Sequence, residues 1–415
     1  MEAVSAVLIV KNAADDLPRC LDCLKWVSEI VVVDSFSSDN TVEIARRYTD
    51  KIIQREWPGY ANQKNYAISQ AAGPWILSVD ADEVLPPETV EEIKRVLSAP
   101  SAVGFRFPRR NIFLGHWVQG CGWYPDWQLR LFKKGAGWFR PFNVHESVEV
   151  EGPVGVLNNP IFHYSYKSLS HYFGKSNNYT NLEVADLAES SSVVSDLDPF
   201  RRFCDKFVTA FITQQGWRDG THGLAISTGL AIYEFSKYLK ALYHYEQSGR
   251  HNLIRWEGAN ITALKQFKEA LFKISQIQNR FNRHSYPQSY TGLNESLSWL
   301  VKKDVNSFLG EANRLSDRDA DNLVQRVRGF VDREILTNSL NILKYYPDPQ
   351  WPSVVLAMGA FIYAFMVWSK VWERLIWNWR QAEITETLSR NWRAAYELSK
   401  SIQWASRYLW FARRG

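Results

Sequence analysis

The chain has 415 residues, 46% of them hydrophobic, and a formal net charge of +5. This length and composition can supply the core of two domains, or of one large domain with an extension. The positive charge is small and no block of Lys and Arg stands out, which argues against a nucleic-acid-binding protein. A mildly basic chain suits an anionic partner such as a nucleotide, a phosphorylated glycan or an anionic membrane surface.

The four cysteines do not make a disulfide framework in a chain this long. Cys20 and Cys23 form a C-x-x-C within a helical pattern, with no second pair to complete a zinc site. We interpret them as thiols on one face of a helix in a reducing cytosol. The stretch from Met1 to Val4 lacks the basic region and apolar run of a secretory signal, so we expect a cytoplasmic protein.

Strand and helix signals alternate in the first part of the chain. Short β-rich, apolar runs predict strands at Val4–Val10, Ile30–Val33, Ile52–Ile53, Trp75–Val79 and Val103–Phe107. Helical spacing and capping residues predict helices at Leu17–Val27, from Asp39-Asn40-Thr41 onward, at Tyr60–Ala71 and from Pro86-Pro87 to Leu97. This alternation predicts an α/β fold with a mostly parallel sheet covered on both faces, whose ligand binds beyond the carboxyl ends of the strands.

The rest of the chain has a different character. Residues 110–165 are irregular and rich in Gly, Trp and Phe, with short strand-like pieces. After Leu169 a helical periodicity continues to the end, with breaks at Gly216–Gly223 and Ser285–Gly292. We therefore expect a helical C-terminal region packed on the α/β domain.

Two acidic clusters fall at predicted strand ends. Asp34 ends the second strand, and Asp80-Ala81-Asp82 follows the fourth. Carboxylates are suitable ligands for Mg²⁺ or Mn²⁺, and a cation there would neutralise a diphosphate leaving group. A D-x-D triplet also occurs by chance, and a solvated turn after the strand is the alternative.

Three sequence blocks in a fixed order give this triplet a context. They are Val31–Thr41 (VVVDSFSSDNT), Gln63-Lys64-Asn65 and Gly73–Glu83 (GPWILSVDADE). Together they resemble the signatures of glycosyltransferase family 2, and most closely the branch of bacterial lipopolysaccharide-core β-glucosyltransferases. The resemblance continues through Trp127–Phe132, Val144-His145-Glu146 and His163-Tyr164-Ser165 and fades near Gly216–Gly220.

The resemblance implies a GT-A type nucleotide-sugar-binding domain and a divalent cation, Mg²⁺ or Mn²⁺. It divides the chain into a catalytic domain at 1–170, a helical segment at 171–250 that completes the family match, and a helical extension at 251–415 of unknown role.

Site residues are implied position by position. The nucleotide-sugar-binding set comprises Val10, Asn12, Asp34, Lys64, Asp80, Ala81 and Arg130. Within this set Asp34 would contact the base or ribose, Lys64 the ribose or phosphates, and Asp80 the ribose or the metal shell. Asp82, outside the set, would bind the metal itself. Ser35 stands where many relatives have a second Asp, which leaves the choice of UDP as the nucleotide open.

An inverting transfer needs a base that takes the proton of the acceptor hydroxyl. Asp126, in Trp123-Tyr124-Pro125-Asp126-Trp127, is the candidate by its motif position, with a helix N-cap as the alternative. The flanking Trp123 and Trp127 offer stacking faces for a sugar, or they belong to the core.

Other charged and titratable residues complete the predicted site. Arg130 has the charge to meet a phosphate or an acceptor anion, with a surface salt bridge as the alternative. The imidazole of His145 is predicted as a second metal ligand, with a structural histidine as the alternative and Glu83 as a supporting group. We assign no role to His163.

The C-terminal extension contains one nearly uncharged stretch, Ser353–Trp368, shorter than the roughly 20 residues that span a bilayer. A helix in the membrane interface and a helix buried in the core or an oligomer both fit, and we favour burial. The basic, aromatic stretch Trp392–Arg414 leaves peripheral contact with the inner face of the membrane open. The formation of a homo-oligomer is open as well.

We therefore expect an inverting, metal-dependent glycosyltransferase. It would transfer glucose from UDP-glucose to an envelope glycan or a lipid-linked saccharide. A polyprenyl-phosphate sugar synthase of the same fold is one alternative, disfavoured by the match over Trp127–Glu146. A non-catalytic scaffold that uses the helical extension is another, disfavoured by the intact acidic residues.

Overall fold

The computed structural model describes residues 2–140, 147–255 and 304–326, together with residues 362, 363, 366, 369 and 370. By their contacts the residues form two compact units. The first comprises Met1–Gln119 and Trp123–Ser165, and the second comprises Gly120–Gly122 and Tyr166–Gly415.

The first unit is built from strands and helices in alternation. Its strands are β1 (Val4–Val10), β2 (Glu29–Asp34), β3 (Ile52–Gln54), β4 (Trp75–Ser78), β5 (Glu83–Val84), β6 (Gly104–Phe113), β7 (His116–Trp117), β8 (Asp126–Lys133), β9 (Gly137–Phe139), β10 (Val148–Val150), β11 (Val154–Val156) and β12 (Ile161–Tyr166). Its helices are α1 (Leu17–Asp22), α2 (Thr41–Ala45), α3 (Tyr60–Gln70) and α4 (Pro87–Ser98).

One large mixed sheet organises this unit, in the order β3-β2-β1-β4-β8-β6-β12-β5. The first four of these strands are parallel, as the alternation of strands and helices predicts. β8 then lies between β4 and β6 and is antiparallel to both. The predicted α/β fold is confirmed, and the stretch that reads as irregular supplies the antiparallel strands.

Apolar clusters cover the parallel strands on both faces. On one face, Leu17 and Leu21 of α1 and Ile93 of α4 pack against the sheet. On the other face, Ala67 and Ile68 of α3 do so. Burial on both sides explains why the central strands are continuous apolar runs rather than alternating ones.

The extent of one helix and the start of another can be compared with the prediction. α1 ends at Asp22 and not at Val27, because turn-type bonds follow it, with the amide of Leu24 donating to the carbonyl of Leu21 (3.1 Å). At the start of α2, the carboxylate of Asp39 accepts the amide of Thr41 at 3.1 Å. Cys20 lies within α1, Cys23 directly follows it, and both thiols are free.

The described part of the second unit is mainly helical, as its periodicity predicts. Its helices are α5 (Leu169–Glu189), α6 (Asp198–Val208), α7 (Gly220–Gln247) and α8 (Val305–Arg326). A π-helical turn at Thr209–Thr213 follows α6, and a 3₁₀ turn at Gly216–Asp219 lies in the first predicted break, Gly216–Gly223, whose last residues already belong to α7. The second, Ser285–Gly292, lies outside the described residues. A pair of two-residue strands, β13 (Val194–Ser195) and β14 (Ile254–Arg255), was not predicted.

Few positions of Ser353–Trp368 are described. Ile362, Tyr363 and Met366 are helical and almost fully buried. At those positions this agrees with the favoured interpretation, a buried helix. The hydroxyl of Tyr363 donates to Asp319 of α8 at 2.6 Å. The stretch Trp392–Arg414 lies outside the described residues. Across the ranges that are described, no helix is long and apolar enough to cross a membrane.

Candidate active site

The two predicted acidic clusters lie at the same edge of the sheet. Asp34 is the last residue of β2, and Asp80-Ala81-Asp82 follows β4. Because β1 lies between these strands and is parallel to both, their carboxyl ends meet. This is the edge at which ligands of parallel α/β sheets bind.

Asp34 is fully buried, and its carboxylate is bonded within the chain. It accepts hydrogen bonds from the hydroxyl of Ser37 (2.5 Å), the amide of Ser37 (3.1 Å) and the side chain of Gln54 (3.1 Å). Asn12, at a φ of 50°, completes the turn by donating its amide to the Ser37 hydroxyl at 2.8 Å and accepting the amide of Ser38 at 2.8 Å. Asp34 therefore shapes the turn after β2.

The residues next to this turn are also engaged with the chain. The amide of Ser35 donates to the carbonyl of Val10 at 2.9 Å, and its hydroxyl accepts from Gln63 at 3.1 Å. Ser35 thus binds a neutral side chain. Ala81 is partly buried and packs against the core.

Two cations flank Asp80. The ammonium group of Lys64 lies 2.9 Å from one carboxylate oxygen, and a guanidinium nitrogen of Arg130 lies 2.5 Å from the other. Burial by itself would raise the pKa of Asp80, but the charges of Arg130 and Lys64 hold that pKa well below its usual range. The side chain of Arg130 is only 5% exposed, so the alternative of a surface salt bridge is wrong.

Glu83 connects this group of charges to the next strands. It is fully buried, and one of its oxygens accepts from Arg130 at 2.7 Å and from Arg109 at 3.2 Å. Its other oxygen accepts the amide of Asp80 at 3.1 Å. One buried carboxylate therefore orients two arginines and the turn that carries the acidic triplet.

Asp126 is the first residue of β8 and pairs across the sheet with Arg109 of β6, so the alternative of a helix N-cap is wrong. Its Oδ2 accepts from Arg109 Nε (2.8 Å), Arg109 Nη2 (2.6 Å) and Asn111 Nδ2 (3.0 Å). Its Oδ1 accepts from Gln128 at 2.6 Å. Burial raises the pKa of Asp126, but Arg109 and these hydrogen bonds outweigh it and leave the pKa below its usual range.

Asn111 joins Asp126 to a histidine. Its Nδ2 donates to Asp126 and, at 3.2 Å, to the carbonyl of Trp123. Its Oδ1 lies 2.6 Å from Nδ1 of His163 on β12. The Nε2 of the same imidazole lies 3.4 Å from Oδ2 of Asp82.

These contacts define the candidate metal ligands. Asp82 and His163 supply one carboxylate and one imidazole, a donor set that suits Mn²⁺ or a similar cation. Among the described residues no group of three or more His, Cys, Asp and Glu comes together, so further ligands would come from the donor phosphates and water. His145, the predicted second ligand, lies outside the described residues.

The two tryptophans near Asp126 differ in exposure. Trp127 is 42% exposed, and the guanidinium of Arg106 lies 5.3 Å from its ring centre. Trp123 packs edge-on against Phe113, with ring centres 5.9 Å apart. Trp127 therefore presents a face on which a sugar could stack, and Trp123 packs within the unit.

Arg109 and Asn111 are not among the residues predicted for the site, and His163 was predicted without a role. A signal for the first two is present, because Phe105 and Phe107 alternate toward the core and Arg109 and Asn111 continue that alternation. The predicted strand stopped at Phe107. His163 lies in the block His163-Tyr164-Ser165 of the family resemblance, but only the pairing of distant strands brings it near Asp82.

The buried ion cluster leads to a prediction of stability. Glu83→Gln should destabilise the fold by about 3 kcal/mol, because two buried guanidinium groups lose a charged partner. The midpoint of urea unfolding measures this. Glu91→Gln is the matched control, since that side chain is 70% exposed and pairs with Lys94 at the surface. Equal losses in the two variants would contradict the role of Glu83.

Comparison with known proteins places part of the chain in a family. Residues 5–148 match the family model described as Glycosyl transferase family 2. A crystal structure of S. aureus TarS 1-349 matches with 14% identity over 75% of this chain and 91% of that chain, at a TM-score of 0.29. A match at so low a TM-score carries no argument about this chain.

Relatives by sequence cover more than half of the chain. An uncharacterized glycosyltransferase of Rickettsia felis is 29% identical over 260 residues, which is 58% of this chain and 88% of the relative. The lipopolysaccharide core biosynthesis glycosyltransferase LpsC of Rhizobium meliloti is 28% identical over 263 residues, which is 60% of this chain and 96% of the relative. Residues 5–148 of this chain therefore form a glycosyltransferase family 2 domain, and over a longer stretch the chain is similar to the glycosyltransferases named above.

Proposed function

We propose that the chain transfers a sugar from a nucleoside diphosphate donor to an acceptor hydroxyl, with inversion at the anomeric carbon and with the help of a divalent cation. The observation that carries the proposal is one continuous series of side-chain contacts. It runs from Asp82 through His163 and Asn111 to Asp126. It joins a carboxylate–imidazole pair suited to a cation with a carboxylate suited to act as a base.

Asp82 and His163 are the proposed cation ligands. Two ligands at right angles around a cation, each about 2.1 Å from it, lie about 3 Å apart. The 3.4 Å between Asp82 Oδ2 and His163 Nε2 is close to that spacing. When bound, the cation would neutralise charge on the diphosphate leaving group.

Asp126 is the proposed base, and its bonding indicates which oxygen acts. Among the described residues, three donor atoms from Arg109 and Asn111 surround Oδ2, whereas Oδ1 accepts from Gln128. The acceptor proton would therefore go to Oδ1. As the acceptor oxygen bonds to the anomeric carbon, the bond from that carbon to the diphosphate breaks, and the nucleoside diphosphate leaves with the electron pair.

Lys64 is the proposed cationic contact of the donor phosphates. It lies 2.9 Å from Asp80, which keeps the ammonium group at the carboxyl edge of the sheet. Asp34 and Asn12 would act less directly, by holding the turn after β2 that lines the nucleotide pocket.

UDP-glucose is the proposed donor, and an envelope glycan or its lipid-linked precursor is the proposed acceptor. The resemblance to lipopolysaccharide-core glucosyltransferases supports both. The relative named for lipopolysaccharide core biosynthesis supports the acceptor class. Such an acceptor would place the protein in the cytoplasm, with peripheral contact at the inner face of the membrane.

A panel of nucleotide sugars, each with Mn²⁺ or with EDTA, tests the donor and the cation together. UDP-glucose with Mn²⁺ should raise the unfolding temperature most and should be the donor from which nucleoside diphosphate is released. A ligand at 100 times its Kd stabilises the fold by about 2.7 kcal/mol, which such a scan resolves. Equal stabilisation in EDTA would contradict the cation, and a larger effect of another nucleotide sugar would contradict UDP-glucose.

A further inference from the structure

The side chain of Asn111 is the only one we find in direct hydrogen bond with both Asp126 and His163 in the described part of the chain. It is 7% exposed and lies on β6, between β8, which carries Asp126, and β12, which carries His163. A side chain at this place can act on both groups at once.

The orientation of the Asn111 amide follows from its neighbours. Two of them, the Trp123 carbonyl and the Asp126 carboxylate, can only accept hydrogen bonds. The NH₂ group must therefore face them, which leaves the carbonyl oxygen toward the Nδ1 of His163 at 2.6 Å. Because that oxygen can only accept, Nδ1 must carry the hydrogen.

With the hydrogen bond of Asn111 at Nδ1, Nε2 is the ring nitrogen that can bind a cation. In a neutral imidazole with its hydrogen on Nδ1, Nε2 carries a lone pair. Nε2 of His163 lies 3.4 Å from Oδ2 of Asp82. This distance is longer than each of the three hydrogen bonds of Asn111, which measure 2.6 to 3.2 Å. A lone pair beside a carboxylate is unfavourable by itself and favourable when a cation lies between them.

The same amide acts on the base. By donating to Oδ2 of Asp126, Asn111 helps Arg109 to hold that oxygen, while Oδ1 accepts from Gln128 and is the oxygen proposed to take the acceptor proton. We propose that Asn111 is a positioning residue that couples the two halves of the site, selecting the cation-binding tautomer of His163 through its carbonyl and orienting Asp126 through its NH₂ group. The inference rests on the proposed roles of His163 and Asp126.

Two substitutions of Asn111 test its carbonyl contact with His163 and its NH₂ contact with Asp126 separately. Asn111→Leu removes both contacts and should weaken Mn²⁺ binding by about 10–100-fold, the usual effect of losing the partner of a metal-binding histidine, and should lower kcat as well. Asn111→Asp keeps the acceptor for Nδ1–H but places a second carboxylate beside Asp126. It should keep Mn²⁺ affinity near that of wild type and lower kcat by at least about 10-fold.

Mn²⁺ affinity is measured on the full chain with the metal alone, by titration calorimetry, and kcat and KM are measured separately at saturating Mn²⁺. Asn65→Leu is the matched control, because the Asn65 amide also makes two hydrogen bonds, both at 2.8 Å to the backbone of Phe139. It should lower the unfolding temperature and leave Mn²⁺ affinity unchanged.

Different outcomes identify different failures. Wild-type Mn²⁺ affinity in a folded Asn111→Leu variant, or wild-type kcat in Asn111→Asp, would overturn the coupling role. If Asn111→Leu does not fold, the nearly isosteric Asn111→Asp still decides the question. Wild-type Mn²⁺ affinity in His163→Ala, or full turnover in Asp126→Asn, would instead overturn the proposed function, and this inference with it.

Discussion

Asp126→Asn is expected to lower kcat by about 10²–10⁴-fold, the usual contribution of a general base, while donor affinity stays near that of wild type. The amide keeps the shape of the carboxylate and can still accept from Arg109, so the strand pairing of β8 with β6 should persist. What it loses is the capacity to take a proton on Oδ1. Steady-state rates and donor titration measure the two quantities separately.

The pH profile of the wild-type enzyme offers a second measurement on the same residue. A base acts as the carboxylate, which is lost as pH falls through its pKa. Because the pKa of Asp126 lies below its usual range, kcat/KM should show no loss from protonation of Asp126 between about pH 6 and pH 8.

Asp22→Asn is a suitable control for Asp126→Asn, since Asp22 pairs with Lys25 at the surface. Normal turnover in Asp126→Asn would reject it as the base.

Asp82→Asn is expected to have the second largest effect. Loss of a charged ligand should weaken Mn²⁺ binding and lower kcat/KM by about 10²–10³-fold at limiting Mn²⁺, since a catalytic cation contributes several kcal/mol to the transition state. Titration of activity with Mn²⁺ measures both effects. Because the imidazole of His163 remains, excess Mn²⁺ should restore part of the activity.

The control for Asp82→Asn is again Asp22→Asn, which should leave the Mn²⁺ dependence unchanged. The double variant of Asp82→Asn with His163→Ala should lose little more than the worse single variant, because both residues would serve one cation. If Asp82→Asn kept full activity at limiting Mn²⁺, the cation assignment would be wrong.

The sequence predicted the parallel half of the sheet and the acidic edge well, for a local reason. Strands buried on both faces are short apolar runs, as at Val31–Val33, and this signal depends on neighbouring residues alone. Once parallel strands are predicted, their carboxyl ends must share an edge. Asp34 and Asp80 therefore fell at that edge without any knowledge of long-range pairing.

The same reasoning could not reach the antiparallel half. β8 is inserted between β4 and β6, and β12 pairs with β5, across long separations along the chain. Such pairings depend on packing between strands that are far apart in sequence, and alternation within one strand does not reveal its partner. For that reason Arg109 was not among the predicted site residues, and Asp126 could be mistaken for a helix cap.

By itself, then, the sequence determined the α/β class, the edge that carries Asp34 and the Asp80-Ala81-Asp82 triplet, and the family. Periodicity and short motifs depend on residues that are neighbours in the sequence. Only the tertiary structure decided that Asp34 is bonded inward and that Glu83 holds two arginines. It alone brought His163 to Asp82 and placed Asn111 against both His163 and Asp126, because those contacts join strands that meet only in the folded sheet.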